Sequence, residues 1–290
     1  MGSGTVSHSS MRTYASSLGR SYDSSTGRVT GQEFVARTID PSLDPRNFKV
    51  RECVNSEEHP NTIPVILGLD VTGSMGEACS ETAAALGTII MNLYKKFSDI
   101  EFCIMGIGDL AYDRAPVQMS QFESDIRIAE SLDKIYMEHG GGGNGFESYT
   151  AAWYMGLKRT KLDCFDKQNR KGVIITMGDE PLNPYLPCRD LNDAVNATEE
   201  THIETPALYN EASKKFDIFH IAVDSPRDCY QSYKTDVDNS FGQLLGTRYK
   251  VASIDNLAQV IEDCITESVQ GINSDSVHVN TSNNNGDISW

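Results

Sequence analysis

The sequence predicts an α/β fold with a doubly wound, mostly parallel central sheet that carries helices on both faces. From residue 62 onward, short apolar runs alternate with longer segments of helical periodicity. This alternation indicates βαβ units, because parallel strands need a long crossover connection, usually a helix. The run at 62–71, TIPVILGLDV, is almost continuously apolar, which is typical of a parallel strand covered on both faces.

The helix after this strand is predicted over 77–97, where Ala83, Leu86, Ile90 and Leu93 recur at helical spacing. The next predicted elements are strands at 100–109 and 115–122, a helix over 124–137, a glycine-rich turn at 139–148 and a helix over about 147–159. They are followed by a strand at 171–179, a helix near 205–216, a strand at 217–223, a helix near 229–244, a strand at 248–253 and a last helix. Ligands of such folds bind beyond the carboxyl ends of the strands.

Four regions are predicted along the 290 residues. Residues 1–10 are interpreted as a leader, either a cloning remnant or a disordered start, and are excluded from the fold. Residues 11–61 are rich in Ser, Arg, Asp, Pro and Gly, and we predict an extension packed on the domain, with an added edge strand as one option. The domain itself is predicted at 62–268, and the Asn-rich tail at 269–290 is predicted to be disordered.

The composition favours a folded, acidic protein. Hydrophobic residues make up 39% and charged residues 23% of the chain, and the formal net charge is -16. Nucleic-acid binding is disfavoured, because it depends on Lys and Arg displacing counterions. No apolar stretch is long enough for a membrane span. We therefore expect neither nucleic acid nor membrane as a partner.

The seven cysteines indicate a reducing compartment. No two of them lie within four positions of each other, which excludes CxxC zinc and redox motifs, and an odd number cannot form a complete disulfide framework. A cytoplasmic location is expected.

Three oxygen-bearing side chains follow the first strand on alternate positions: Asp70, Thr72 and Ser74. In a loop, they can converge on one small volume and offer hard oxygen ligands, which suit Mg²⁺ or Mn²⁺ better than zinc or copper. Helix capping is the alternative, because Asp, Ser and Thr are preferred N-cap residues. Further ligands must come from other strand ends, where Glu147 and Asp179 are the candidates.

The stretch DVTGS at 70–74 resembles the Asp-x-Ser/Thr-x-Ser signature of von Willebrand factor type A (vWA) domains. In that family, a metal-ion-dependent adhesion site (MIDAS) binds Mg²⁺ at the top of a Rossmann-like sheet. The glycine-rich turn with its following FES is similar to the second metal loop of the integrin β-subunit type, and IITMGDE is similar to the strand that ends in the third element. The resemblance covers about residues 62–268. It implies a Rossmann-like vWA fold, Mg²⁺ as the cation with Mn²⁺ or Ca²⁺ as alternatives, and metal ligands at Asp70, Thr72, Ser74, Glu147 and Asp179.

Two positions depart from the commoner family pattern. Thr72 replaces a serine but keeps the hydroxyl, and Glu147 replaces a threonine and adds a negative charge. Thr150 is the rival of Glu147 for the middle loop. Asp109 and Asp113 follow the second strand near the same edge and are interpreted either as surface carboxylates or as residues that support the metal ligands.

The loop after Asp179 holds three prolines, with Tyr185 and Leu186 between them. Proline stiffens such a loop, so an aromatic residue displayed there is a candidate for partner recognition. Filling of the loop is the competing interpretation.

The resemblance implies a non-enzymatic binding module or adaptor, in which a partner's Asp or Glu carboxylate completes the coordination of Mg²⁺. Cytoplasmic relatives imply a multiprotein assembly, including one driven by an AAA+ ATPase. The first alternative is a Mg²⁺-dependent phosphohydrolase with Asp70 as nucleophile, although Thr72 stands where that chemistry needs a second acid. The second alternative is a vWA scaffold of an RNA–protein particle, which the lack of a basic surface disfavours.

Overall fold

The computed structural model describes residues 4–31, 34, 36–138, 145–225 and 229–275 of the chain. The strands are β1 (Ser21–Asp23), β2 (Arg28–Thr30), β3 (Arg51–Cys53), β4 (Ile63–Asp70), β5 (Ile100–Ile107), β6 (Val117–Met119), β7 (Thr160–Leu162), β8 (Gly172–Gly178), β9 (Tyr185–Leu186), β10 (Ile203–Glu204), β11 (Phe216–Asp224) and β12 (Tyr249–Ser253). The helices are α1 (His8–Ser17), α2 (Gly76–Lys96), α3 (Arg127–Asp133), α4 (Thr150–Arg159), α5 (Asp163–Asp166), α6 (Cys188–Val195), α7 (Thr205–Ala212), α8 (Tyr230–Leu245) and α9 (Leu257–Asp275).

Six strands form the central sheet, in the order β12-β11-β8-β4-β5-β6. Neighbouring strands are parallel throughout except for β6, which pairs antiparallel with β5. An α/β fold with a mostly parallel central sheet and helices around it is therefore confirmed. The sheet is mixed because of its edge strand, and the doubly wound topology stays a prediction.

The two sides of the sheet face different hydrophobic clusters. Along β4, Val65, Leu67 and Leu69 belong to a cluster shared with α2 and α9, whereas Ile66 belongs to one shared with α4 and α8. Side chains alternate between the two faces of a strand. A strand buried on both faces can therefore carry no regular polar position, which accounts for the apolar run in the sequence.

Parallel pairing of β4 with β8 places two acidic residues at one edge of the sheet. Leu69 lies beside Met177 in this pairing. The residues that follow, Asp70 at the end of β4 and Asp179 just after β8, therefore leave the sheet on the same side. The α/β rule that ligand sites lie beyond the carboxyl ends of strands applies to this edge.

Residues that precede β4 contact helices and strands around the central sheet. Met11 and Ala15 of α1 lie in the cluster formed by α2 and α9, and Arg20 makes two hydrogen bonds with Asp133, at 2.7 and 2.8 Å. The Leu43 carbonyl accepts a hydrogen bond from the Met119 amide on the edge strand β6. Strand β3 pairs with β7 outside the central sheet.

Parts of the predicted leader and of the predicted tail lie among the residues that the structure describes. Val6 is buried and α1 begins at His8, inside the stretch interpreted as a leader. Helix α9 extends to Asp275, inside the stretch interpreted as a tail, and residues 276–290 lie outside the described residues. The four-region division stays a prediction.

None of the described helices is both long and apolar enough to cross a membrane. All seven cysteines lie in the described part of the chain, where none forms a disulfide and five are buried.

The substitution Asp133→Ala tests the attachment of the extension. The Asp133 carboxylate, which bonds Arg20, also accepts a hydrogen bond from the Tyr14 hydroxyl at 2.5 Å. The side chains of Arg20 and Asp133 are only 10% and 13% exposed. Removing one member of a largely buried pair is expected to lower the free energy of unfolding by about 2–4 kcal/mol. Urea denaturation measures this loss.

The matched control is Glu211→Ala, which removes a salt bridge to Lys214 whose two side chains are more than half exposed. We expect a change within about 0.5 kcal/mol, because exposed ion pairs contribute little. Equal losses in the two variants would contradict an anchored extension.

Candidate functional site

Asp70 is the last residue of β4 and is completely buried. Its Oδ1 accepts hydrogen bonds from the Thr72 amide at 2.9 Å and from the Thr72 hydroxyl at 2.6 Å. Its Oδ2 accepts one from the Tyr149 hydroxyl at 2.7 Å. An aspartate commonly bonds the backbone two residues further on in this way. Both carboxylate oxygens of Asp70 are thus held by neighbouring side chains.

Thr72 and Ser74 lie in the turn that connects β4 to α2, part of which is a 3-10 helix at Gly73–Met75. Their hydroxyl oxygens are 3.5 Å apart, so the structure brings the three residues of the triplet together. The cap position of α2 is Met75, whose side chain makes no capping hydrogen bond. The Thr72 hydroxyl is therefore directed at Asp70 and Ser74, and it makes no capping hydrogen bond.

Asp179 is fully buried immediately after β8. Its Oδ2 accepts a hydrogen bond from the Cys229 amide at 2.6 Å, whereas its buried Oδ1 has no hydrogen-bond partner among the described residues. Burial raises the pKa of Asp179, while hydrogen bonds from the Cys229 amide and from the Ser74 hydroxyl lower it. One oxygen of this carboxylate thus remains available to a ligand.

Glu147 reaches the same region from the loop before α4. It is 2% exposed and forms an isolated parallel β-bridge with Leu182, whereas the helix predicted from about residue 147 begins at Thr150. Its Oε2 is buried and has no hydrogen-bond partner in the described part of the chain. Burial raises the pKa of Glu147 strongly, and repulsion from Asp70 and Glu180 adds to the effect. Most of the glycine-rich turn, residues 139–144, lies outside the described residues.

Asp109 and Asp113 lie close enough to Glu147 for their negative charges to contribute to its raised pKa. Asp109 is 3% exposed, and its Oδ1 accepts a hydrogen bond from the Ala111 amide at 2.7 Å. Asp113 accepts one from the Asp109 amide at 2.7 Å, and burial raises the pKa of Asp113 to about 6. Burial, followed by repulsion from Asp179, raises the pKa of Glu180 to about 7.

Thr150 makes its hydrogen bonds with the Asn183 side chain. Its hydroxyl accepts a hydrogen bond from the Asn183 side chain at 2.5 Å, and its amide donates to the Asn183 carbonyl oxygen Oδ1 at 3.3 Å. Of the two residues predicted for partner recognition, Tyr185 is 42% exposed and Leu186 is completely buried. Only Tyr185 can therefore meet a partner at the surface.

Tyr149 contacts the candidate site, although it was not predicted from the sequence. Besides donating to Asp70, its hydroxyl accepts a hydrogen bond from the Glu180 amide at 3.3 Å. The ring lies over Gly178, where a Cβ would come within 2.0 Å of the Tyr149 hydroxyl oxygen. A glycine directly before Asp179, with a tyrosine two residues after Glu147, was the available signal.

The oxygens fit a hard cation in chemistry, because carboxylates and hydroxyls are the ligands that Mg²⁺ and Ca²⁺ prefer. Glu147 and Asp179 each keep one buried oxygen without a hydrogen-bond partner in the described residues, and such a group is costly unless it is paired. No three His, Cys, Asp or Glu side chains of the described residues form a metal-binding group. A cation would therefore depend on the hydroxyls of Thr72 and Ser74 as well.

Neither protein-family models nor curated proteins match the chain. Among solved structures, it is similar to the pilus adhesin SpaC of Lactobacillus rhamnosus GG, with 10% identity, a TM-score of 0.49 and coverage of 75% of this chain but only 31% of the adhesin. The vWF domain of the type V pili tip protein Mfa5 of Porphyromonas gingivalis has 12% identity and a TM-score of 0.41, and the match covers 79% of this chain and 98% of that domain's chain. Proximal thread matrix protein 1 of the mussel byssus has 13% identity and a TM-score of 0.42, and the match covers 70% of this chain and 45% of the byssus protein. Similarities of this size assign neither a family nor a function.

Substitution of Gly178 tests the packing that orients Tyr149. The variant Gly178→Ala is expected to lose about 3 kcal/mol of unfolding free energy, because backbone or ring must shift to make room for the methyl group. Gly242→Ala in α8 is the control, since a Cβ there meets nothing within 4 Å. It should be neutral or stabilising by about 0.5–1 kcal/mol. Thermal and urea denaturation compare them, and equal stability would contradict the packing described.

The buried carboxylates predict a pH dependence in the presence of chelator. Burial, followed by repulsion from Asp179, raises the pKa of Asp70 to about 7, whereas an aspartate in the unfolded chain has a pKa near 3.9. The stability from protonation is fully present below the unfolded pKa and is lost as the pH rises through the folded one. Unfolding free energy should therefore increase on acidification from about pH 8 to about pH 5.

The variant Asp70→Asn isolates this contribution, since the amide cannot titrate. Each pKa unit corresponds to about 1.4 kcal/mol, so the variant's stability profile should be flatter by a few kcal/mol between those pH values. Parallel profiles for wild type and variant would contradict the raised pKa of Asp70.

Proposed function

We propose that the chain is a non-enzymatic protein-binding module that uses a divalent cation, Mg²⁺ by preference, to receive a partner's Asp or Glu carboxylate. Asp70, Thr72, Ser74, Glu147 and Asp179 would hold the ion, and Asp109 and Asp113 would support them. The observation that carries the proposal is the pair of buried carboxylate oxygens, on Glu147 and Asp179, that have no hydrogen-bond partner among the described residues.

Electrostatics explains why a cation belongs there. Asp70, Glu147 and Asp179 are each buried, and their desolvation raises all three pKa values. A bound divalent cation would lower these pKa values and favour the ionised carboxylates, because it is the largest charge in its surroundings. When bound, it supplies the positive charge by which a protein of net charge -16 can attract a carboxylate.

The alternative of an aspartate-nucleophile phosphohydrolase has less support. A nucleophile must meet its substrate, whereas Asp70 is completely buried and accepts three hydrogen bonds. Thr72 has no carboxyl group to serve as general acid and already donates its hydroxyl hydrogen to Asp70. A binding role is consistent with both observations.

The wider setting remains part of the proposal. A cytoplasmic multiprotein assembly, including one driven by an AAA+ ATPase, would give an adaptor its partner. The RNA–protein scaffold is the less favoured alternative, since an acidic chain offers few charges to a phosphate backbone. Mn²⁺ and Ca²⁺ are the alternative cations, because both also take oxygen ligands.

Isothermal titration of Mg²⁺ and Mn²⁺ into chelator-treated protein tests the site. We expect saturable binding at one site, weakened about tenfold or more by Asp70→Asn and by Glu147→Gln. Both substitutions keep the shape of the side chain and remove the charge.

Glu101→Gln is the matched control. Glu101 is also buried, has a pKa raised by burial and keeps an oxygen without a hydrogen-bond partner in the described residues, but it lies at the start of β5. Its variant should bind the cation like the wild type. Equal weakening by all three substitutions, or no saturation even with excess acetate present, would contradict the proposed metal site.

A further inference from the structure

A cavity of about 180 Å³ adjoins the proposed metal site. Its wall includes Phe146 and Ser148, the two residues that flank Glu147, together with Asp109, Tyr185 and Asp190. We call it the acidic cavity, because Asp109 and Asp190 are the charged residues among the described residues that line it. The Ser148 hydroxyl accepts a hydrogen bond from the Leu110 amide at 3.0 Å, and the Ser148 amide donates to the Gly108 carbonyl at 3.3 Å.

These contacts fasten the loop that carries Asp109 to the loop that carries Glu147. A ligand in the acidic cavity would therefore lie close to anything bound at Glu147.

Asp109 is the residue of the cavity wall whose carboxylate lacks a hydrogen-bond partner for one oxygen among the described residues. It is 3% exposed, and its Oδ2 is buried without a hydrogen-bond partner among the described residues, although its Oδ1 accepts from the Ala111 amide. Leaving a buried carboxylate oxygen unpaired is unfavourable. The neighbouring wall of the cavity adds a second, half-buried carboxylate at Asp190.

Aromatic rings form the rim of the acidic cavity. Phe146 is 38% and Tyr185 is 42% exposed, and the Tyr185 ring packs against His202 with ring centroids 5.0 Å apart. Exposed aromatic faces attract Lys and Arg head groups through cation–π interactions. Their apolar surfaces also suit the methylene stem of such a side chain.

We propose that the acidic cavity receives a Lys or Arg side chain of the protein partner. The cationic head would pair with Asp109 and Asp190, and the stem would lie against Phe146 and Tyr185. That the same partner segment also carries the carboxylate for the metal rests on the proposed function, whereas the cavity's own preference for a cation does not.

A cationic side chain fits the cavity better than the other candidates. A neutral or apolar group would leave the Asp109 carboxylate without a countercharge. A second metal ion would need more oxygen ligands than two carboxylates provide. Asp190 also borders a neighbouring cavity that contains Arg46 and Arg114, so Asp109 is the deciding residue.

Selection from a phage-displayed library of random heptapeptides tests the proposal. The full chain is used as bait in Mg²⁺ and, separately, in chelator, as wild type and as the variants Asp109→Asn, Asp193→Asn and Asp70→Asn. Asp109→Asn keeps the oxygen that accepts from Ala111. Asp193→Asn removes the same charge from an exposed residue of α6 that borders only the neighbouring cavity, and so controls for general attraction of basic peptides.

We expect the wild type to enrich Lys or Arg at one fixed peptide position. This enrichment should persist in chelator, on Asp193→Asn and on Asp70→Asn, and should disappear on Asp109→Asn. A selected peptide, resynthesised with Met in place of its basic residue, should bind the wild type at least about tenfold more weakly.

The outcomes separate this proposal from the proposed function. Enrichment of acidic residues only in Mg²⁺ and not on Asp70→Asn, without a basic position, would support the metal site and overturn the cationic role of the cavity. A basic position without any metal-dependent acidic one would support the cavity and count against the metal site. Equal basic enrichment on Asp109→Asn, or no enriched sequence at all, would overturn the cavity's role.

Discussion

Burial of negative charge at the carboxyl edge of the central sheet is the constraint on which the other features of this protein depend. Asp70 and Asp179 follow neighbouring parallel strands, and Glu147 joins them from the loop before α4. Desolvation raises the pKa of each, and like charges add to the effect at Asp70 and Glu147. Donors from Thr72, Tyr149 and the Cys229 amide relieve part of this cost. The oxygens that remain without a hydrogen-bond partner in the described residues are the basis of the proposed cation site.

The framework around the site keeps these charges from separating. The strands that lead to Asp70 and Asp179 are buried on both faces, and close packing leaves them little freedom to move apart. Gly178 lets the Tyr149 ring lie directly against the backbone. Met11 and Ala15 of α1 join the hydrophobic cluster that contains α2, the helix that follows the Asp70 turn.

Much of the sheet could be predicted from the sequence because a strand buried on both faces leaves an uninterrupted apolar run. The strand predicted at 62–71 is observed at Ile63–Asp70, and that predicted at 171–179 is observed at Gly172–Gly178. The helix predicted over 124–137 is shorter, Arg127–Asp133, because apolar spacing shows which face is buried but not where hydrogen bonding ends. Leu186 is completely buried although its neighbour Tyr185 is exposed, a distinction that loop composition does not contain.

The sequence by itself determined the alternation of strands and helices, and with it the placement of Asp70 and Asp179 at one edge, since parallel strands end on the same side of their sheet. Only the tertiary structure decided how the remaining oxygens are used. It engages Thr150 with Asn183, brings Tyr149 to Asp70 and leaves Asp109 facing a cavity beside two aromatic rings. These are contacts between segments far apart in the chain, and local residue patterns carry no information about which distant groups will meet.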